Sequence, residues 1–262
     1  MKMSTDTFAD YQAIQAMNAS VIKAGLVSMR HMRYAALYPS QEPTPAMWWG
    51  KIVHSAVLEP DTFRDRYAVW SGASRRGKKY DAFLASANDR ETITLAEYND
   101  ALYMAKAVRE NVHARKLLGE LVAREESLTF DLDGRPCKGR LDGRGADYIL
   151  DLKTVSDVTE RACERQFYNL GYHIQMGWYR FGANKVYHID HKAYIIAIES
   201  DPPYDCVVYN CSRSFLERGM IEADRIAKEY DECCRKQYWP GVRSDVATLD
   251  LPAWATPDVD LI

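Results

Sequence analysis

Apolar positions along the chain recur with two different periods. From Thr94, the residues Leu95, Tyr98, Leu102, Ala105 and Val108 return every third or fourth position, so they share one helix face. Thr94 with Glu97 makes a capping box that opens this helix, and the pattern carries it to about Leu118. Beyond it the period shortens. Leu121 to Leu132 reads as a strand, Asp133-Gly134 as a tight hairpin turn, and Arg135 begins the return strand. Two short runs, Lys138 to Asp142 and Asp147 to Lys153, flank the turn-forming Gly143-Arg144-Gly145 and predict an antiparallel hairpin. In the second run Asp151 and Lys153 fall on one face, while Ile149, Leu150 and Leu152 supply apolar packing. A helix from roughly Thr159 to Phe181 follows, capped by Ser156 or Asp157 and interrupted by neither Gly171 nor Gly177. Strands at Lys192 to Glu199 and Asp205 to Cys211 are joined around Pro202-Pro203. A last helix, capped by Ser214 with Glu217, runs to about Trp239 and stops at Pro240-Gly241.

The first 37 residues read as helical, with Ser20 capping a short helix that Gly25 ends and Ser28 capping a second. Pro39 to Pro45 is a loop into a helix from about Ala46 to Leu58, which Pro60 stops. Tyr67 to Trp70 is a short strand. This order of helices and strands predicts an α/β or α+β fold with a mixed central sheet flanked by helices. One domain over residues 1–262 is the simpler organisation: a helical N-terminal region to residue 45, a core from 46 to 240, and a tail from 241 to 262.

Composition narrows the class. Apolar residues make up 47% of the chain, ample for a buried core. The formal net charge is −3, so a nucleic-acid partner would need a local basic groove rather than a basic surface. No apolar run approaches the roughly 20 residues that span a bilayer, and the N-terminus lacks a signal-peptide layout, which predicts a cytoplasmic protein. The six cysteines, at positions 137, 163, 206, 211, 233 and 234, form no C-x-x-C pair. Reduced thiols are expected there, and an iron–sulfur cluster is not.

The candidate chemistry lies in the predicted hairpin. It would bring Asp142 near Asp151, giving two hard oxygen ligands of the kind that Mg²⁺ or Mn²⁺ takes, with the Lys153 ammonium beside them to orient or deprotonate a water. Asp, eight residues, then Asp-x-Lys resembles the signature of the PD-(D/E)xK nuclease superfamily. Gly50 with His54, one helical turn apart, and Gln175 with Tyr179 resemble the G-x-x-x-H and Q-x-x-x-Y elements of RecB-type and RecE-type exonucleases. Across residues 46–180 the wording agrees as well: Glu59-Pro60 after the His, Lys138-Gly139-Arg140 before the first Asp, Leu152-Lys153-Thr154 around the Lys.

The resemblance implies a restriction-endonuclease-like core and one or two Mg²⁺ or Mn²⁺ held by His54, Asp142, Asp151 and the Leu152 carbonyl. It implies Lys153, Gln175 and Tyr179 as further site residues, and either Glu125 or Glu126, with Glu125 the better match to an E-x-S element ending at Ser127. The activity implied is 5′ to 3′ digestion of linear double-stranded DNA by a homo-oligomeric ring, a trimer or tetramer, working with a single-strand annealing protein. DNA contacts are expected from Arg30, Arg33 and Arg140 and from a basic loop holding Arg75, Arg76, Lys78 and Lys79, although solvated charge explains the loop equally well. Two alternatives stand beside this reading: a RecB-like endonuclease or flap and single-strand repair nuclease, and a DNA-binding recombination accessory protein without turnover.

Overall fold

Alternation along one strand sets the layers. The computed structural model describes residues 7–39, 43–88 and 90–252. In β5 (Tyr148–Val155) Leu150 and Leu152 enter one hydrophobic cluster, while Ile149 and Val155 enter another on the opposite face. A strand covered on both faces reads as a nearly unbroken apolar run, and β5 is that strand. With β3 (Ala123–Leu132), β4 (Arg135–Arg144), β6 (Lys192–Glu199) and β7 (Cys206–Asn210) it forms a sheet in the order β3-β4-β5-β6-β7. Only β5–β6 is parallel, so the sheet is mixed as its pattern predicts. A separate parallel pair is made by β1 (Tyr67–Trp70) and β2 (Glu91–Thr94).

Helices cover both faces. On the Leu150–Leu152 side lie α4 (Pro45–Leu58), α7 (Leu95–Glu110) and α8 (Val112–Gly119). The Ile149–Val155 side takes α9 (Glu160–Asn169), α10 (Tyr172–Tyr187) and α11 (Arg213–Lys236). Beyond them α2 (Ala19–Gly25) and α3 (Met29–Leu37) pack Ile22 and Met32 against Trp178 and Ile226. Short helices α1 (Phe8–Ala13), α5 (Pro60–Arg66) and α6 (Lys78–Ser86) complete the set.

Several boundaries differ from the periodicity, each for a local reason. The helix expected from Thr94 to Leu118 breaks at Asn111, whose side chain accepts from the His113 and Ala114 amides and so starts α8 while ending α7. The helix expected to run through Gly171 breaks there, because Gly171 takes φ +67. Asn18 rather than Ser20 caps α2, and Ser212 rather than Ser214 caps α11. Lys78 and Lys79, expected in a loop, open α6. The 143–145 turn shifts onward: Gly143 and Arg144 stay in β4, paired with Leu150 and Ile149.

That last shift positions the site. The β4–β5 ladder consists of Gly143↔Leu150 and Arg144↔Ile149, and from Asp142 backward the two strands part. The freed edge of β4 would leave backbone groups unpaired, and the N-terminal segment covers it. Met17 donates to the Pro136 carbonyl at 3.0 Å and accepts from the Lys138 amide at 2.7 Å.

Candidate active site

The parting of β4 and β5 gathers acidic side chains. Continuing the β4–β5 register places Asp142 opposite Asp151, and the β3–β4 register places Glu125 opposite Asp142. Three carboxylates thus stand at one level along three neighbouring strands, where the regular ladder is interrupted. Glu125 takes φ +50, and its own ladder pair is missing between Arg124↔Gly143 and Glu126↔Leu141. Asp142 occupies the gap in the sheet: its Oδ2 accepts the Leu152 amide at 2.7 Å.

His54 reaches the same point from α4. Its Nε2 lies 2.8 Å from the Leu152 carbonyl, which can only accept, so Nε2 carries the hydrogen. Burial and the Lys153 ammonium lower the His54 pKa and favour the neutral ring. Nδ1 then presents its lone pair 3.5 Å from Asp142 Oδ2. Ligand atoms of His54, Glu125 and Asp142 all lie within 4.8 Å of one another, the sole such group of metal-ligating side chains among the described residues. Asp142 is pushed up to about 8 by burial and by Asp151, and Glu125 is raised by burial and by Asp142. Two carboxyl groups and an unprotonated ring nitrogen thus converge where a bound cation would favour their ionised forms. One nitrogen with two carboxylates fits a divalent ion such as Mg²⁺ or Mn²⁺.

Asp151 is placed differently from a bare ligand. It is buried, its Oδ1 accepts from Gln175 Nε2 at 2.8 Å, and its Oδ2 faces Lys153 Nζ at 2.6 Å. Burial works against the Lys153 charge, but Asp151 and Asp142 together outweigh it and raise the pKa, so Lys153 stays an ammonium. That ammonium lies 4.6 Å from the Tyr172 ring centroid. The Leu152 carbonyl, expected on the metal, is engaged by His54. The charge inventory at the site therefore pairs Asp151 with Lys153 and leaves Glu125, Asp142 and His54 around one point.

The two adjacent glutamates enter different networks. Glu125 meets Arg140 Nε at 3.1 Å, and Arg140 Nη1 donates to Ser127 Oγ at 2.9 Å, so the E-x-S element holds one guanidinium. Glu126 is buried in a separate network with Arg144, at 2.6 and 3.0 Å, and the Tyr187 hydroxyl at 2.7 Å. Tyr179 is half-buried against β4, where a Cβ on Gly139 would come within 3.1 Å of its ring. Gly50 has only the Thr154 hydroxyl near its missing side chain, at 4.0 Å.

The expected DNA-binding residues scatter. Arg33 stacks its guanidinium 3.3 Å from the Trp239 ring centroid, and the Arg30 amide donates to the Pro240 carbonyl at 3.0 Å. The Arg33 side chain thus fastens the segment after α11, whereas Arg30 holds it through its backbone and is itself exposed. Arg75 pairs with Glu97 at 2.5 Å, while Arg76, Lys78 and Lys79 are exposed. Among the described N-terminal residues, Lys23 reaches the site: its Nζ donates to Gln175 Oε1 at 3.3 Å. It was visible in the sequence as one charge among several on a basic stretch, with no spacing to single it out. The six cysteines are free thiols, and none joins the metal-ligating group.

Comparison with known proteins agrees with this architecture. Residues 13–249 match the family described as a PDDEXK-like domain of unknown function (DUF3799). A crystal structure named "Putative exonuclease", from Eubacterium rectale, superposes with a TM-score of 0.62 at 14% identity, covering 94% of this chain and 97% of that one. At that identity the likeness is one of fold. A second structure, named SSO0001, reaches a TM-score of 0.35 at 12% identity over 84% of this chain and 76% of that one. No curated protein matches the sequence. With 13–249 matched and Asp142, Asp151 and Lys153 set at the parting of two strands, the chain belongs to the PDDEXK-like family.

Proposed function

We propose that this protein is a metal-dependent deoxyribonuclease that digests linear double-stranded DNA from its 5′ ends, leaving 3′ single strands for annealing. The observation that carries the reading is the convergence of Glu125, Asp142 and His54 around one point, beside an Asp151–Lys153 pair. His54, Glu125 and Asp142 would hold Mg²⁺ or Mn²⁺, with Asp151 alongside. When bound, such an ion lowers the pKa of a coordinated water and offsets charge on a phosphodiester. Lys153, held against Asp151, would supply a positive charge that orients an attacking water or a phosphate oxygen, or would take the proton of that water. Arg140 restrains Glu125, and Gln175 restrains Asp151, so the acids keep their geometry without the ion.

The polarity, a trimeric or tetrameric ring and an annealing partner belong to this proposal through the resemblance to RecE-type exonucleases. A ring would also let a subunit of net charge −3 present a basic inner channel. The test is digestion of a linear duplex labelled at one end, with and without a 5′-phosphate, in Mg²⁺, Mn²⁺ or chelator. Acid-soluble nucleotide should appear only with metal, and Asp151→Ala and Lys153→Ala should fold, bind DNA and release none. Full activity in either variant rejects the assignment, whereas cutting of covalently closed circles replaces the exonuclease with an endonuclease.

A further inference from the structure

Gln175 touches two charged groups, and only one orientation of its amide satisfies both. Nε2 donates to Asp151 Oδ1 at 2.8 Å, and Oε1 accepts from Lys23 Nζ at 3.3 Å. The reverse orientation would aim Oε1 at a carboxylate and Nε2 at an ammonium, two repulsive contacts. An ammonium has no acceptor and a carboxylate no donor, so Lys23 and Asp151 together fix the amide.

The approach of Lys23 is built into the fold. Its stem crosses Gly171, where φ is +67 and a Cβ would come within 3.0 Å of the Lys23 Cδ and 3.1 Å of its Cγ. The same glycine separates α9 from α10, which carries Gln175. The Lys23 ammonium lies 5.2 Å from the Tyr172 ring centroid, and that of Lys153 lies 4.6 Å from it. Two cations thus approach one ring, Lys23 bonded to Gln175 and Lys153 paired with Asp151.

From this we infer that Lys23 is a positioning residue: through the Gln175 amide it sets the rotation of the Asp151 carboxylate, and hence where the Lys153 ammonium sits. Lys23 lies about 150 residues from the residue it orients, on a helix outside the nuclease motifs. Its kinetic consequence rests on the hydrolase reading above, but its geometry does not.

Two measurements test it. In the ¹H–¹⁵N spectrum of the metal-free full chain, the Gln175 side-chain amide is identified by the signals missing from Gln175→Leu. Lys23→Met should shift them, since the amide loses one of the two charged groups that fix it, and Lys23→Arg, which retains a donor, should keep them. Unchanged signals in Lys23→Met overturn the inference, and Lys23→Leu repeats the measurement should Lys23→Met not fold. In the digestion assay Lys23→Met should lower kcat roughly ten- to hundredfold with KM for DNA unchanged, the scale of losing an outer-shell partner. The double variant with Gln175→Leu should be no slower than Gln175→Leu alone. A raised KM, or effects that multiply, would mean that Lys23 grips phosphate directly and would overturn the positioning role. The spectrum needs no turnover, so an enzyme inactive with every metal would sink the hydrolase reading and leave the spectrum to decide this one.

Discussion

Substituting Gly219 by alanine should detach the layer that carries Gln175. Gly219 of α11 meets α10 so closely that a Cβ there would lie 1.8 Å from the His173 carbonyl oxygen and 2.3 Å from its carbon. Gly177 of α10 faces back, with the Leu216 carbonyl oxygen 2.7 Å and the Met220 nitrogen 2.9 Å from its own missing Cβ. Non-bonded atoms pack at roughly 3.5 Å, so the helices would have to separate by about 1.5 Å. Backbone lies on both sides of the contact, and no rotamer change relieves it. A gap of even 1 Å forfeits up to about half of a dispersion contact, and here it would run along the packing of Ile174, Trp178, Leu216 and Ile226. The 2.9 Å contact of His173 with Glu222 would stretch as well.

Overpacking ordinarily costs about 1–3 kcal/mol, and a backbone-to-backbone clash belongs at or above the top of that range. At roughly 2–4 °C per kcal/mol for a domain of this size, Gly219→Ala should melt about 6–12 °C below the parent. Gln175 lies midway between His173 and Gly177, so the shift should also loosen its bond to Asp151 and cut cleavage by about 100-fold. Thermal melts with urea titration measure the first effect, end-labelled duplex digestion the second. Gly119→Ala, where no packing partner among the described residues lies within 4 Å of the added carbon, serves as a control within about 1 kcal/mol of the parent. A Gly219→Ala protein melting within about 2 °C of the parent would refute the reasoning.

Two further outcomes follow from the site. Asp142 is held near 8 against an unfolded value of about 3.9, so the folded metal-free chain binds the extra proton between those values. Its contribution to stability is complete below the unfolded pKa and is lost as pH rises through the folded one. In chelator, melting points from pH 5 to 8.5 should therefore show this downward component in the parent and lack it in Asp142→Asn; parallel curves would count against it. Arg33→Ala should lower stability by about 0.5–2 kcal/mol through loss of the Trp239 stack while leaving DNA affinity unchanged, and a salt-dependent drop in affinity would return Arg33 to phosphate binding.

Much of this protein follows from its sequence because the relevant physics is local. Alternation in Tyr148–Val155 sets which side chains share a face, so the pairing of Asp151 with Lys153 follows from chain geometry alone. The Thr94–Glu97 box and the Pro45 start of α4 are likewise contacts within one turn. What the chain order could not show is how partners distant in sequence compete for the same side chain. Arg33 went to Trp239, Arg75 to Glu97 and Asp151 to Lys153 and Gln175, while the loss of ladder pairing at Asp142 opened the gap that His54 and Glu125 share. A charge has no period, so its partner is set by which helices stack on which strands. Only the tertiary structure could bring Lys23 to Gln175, because Gly171 had to leave room for it.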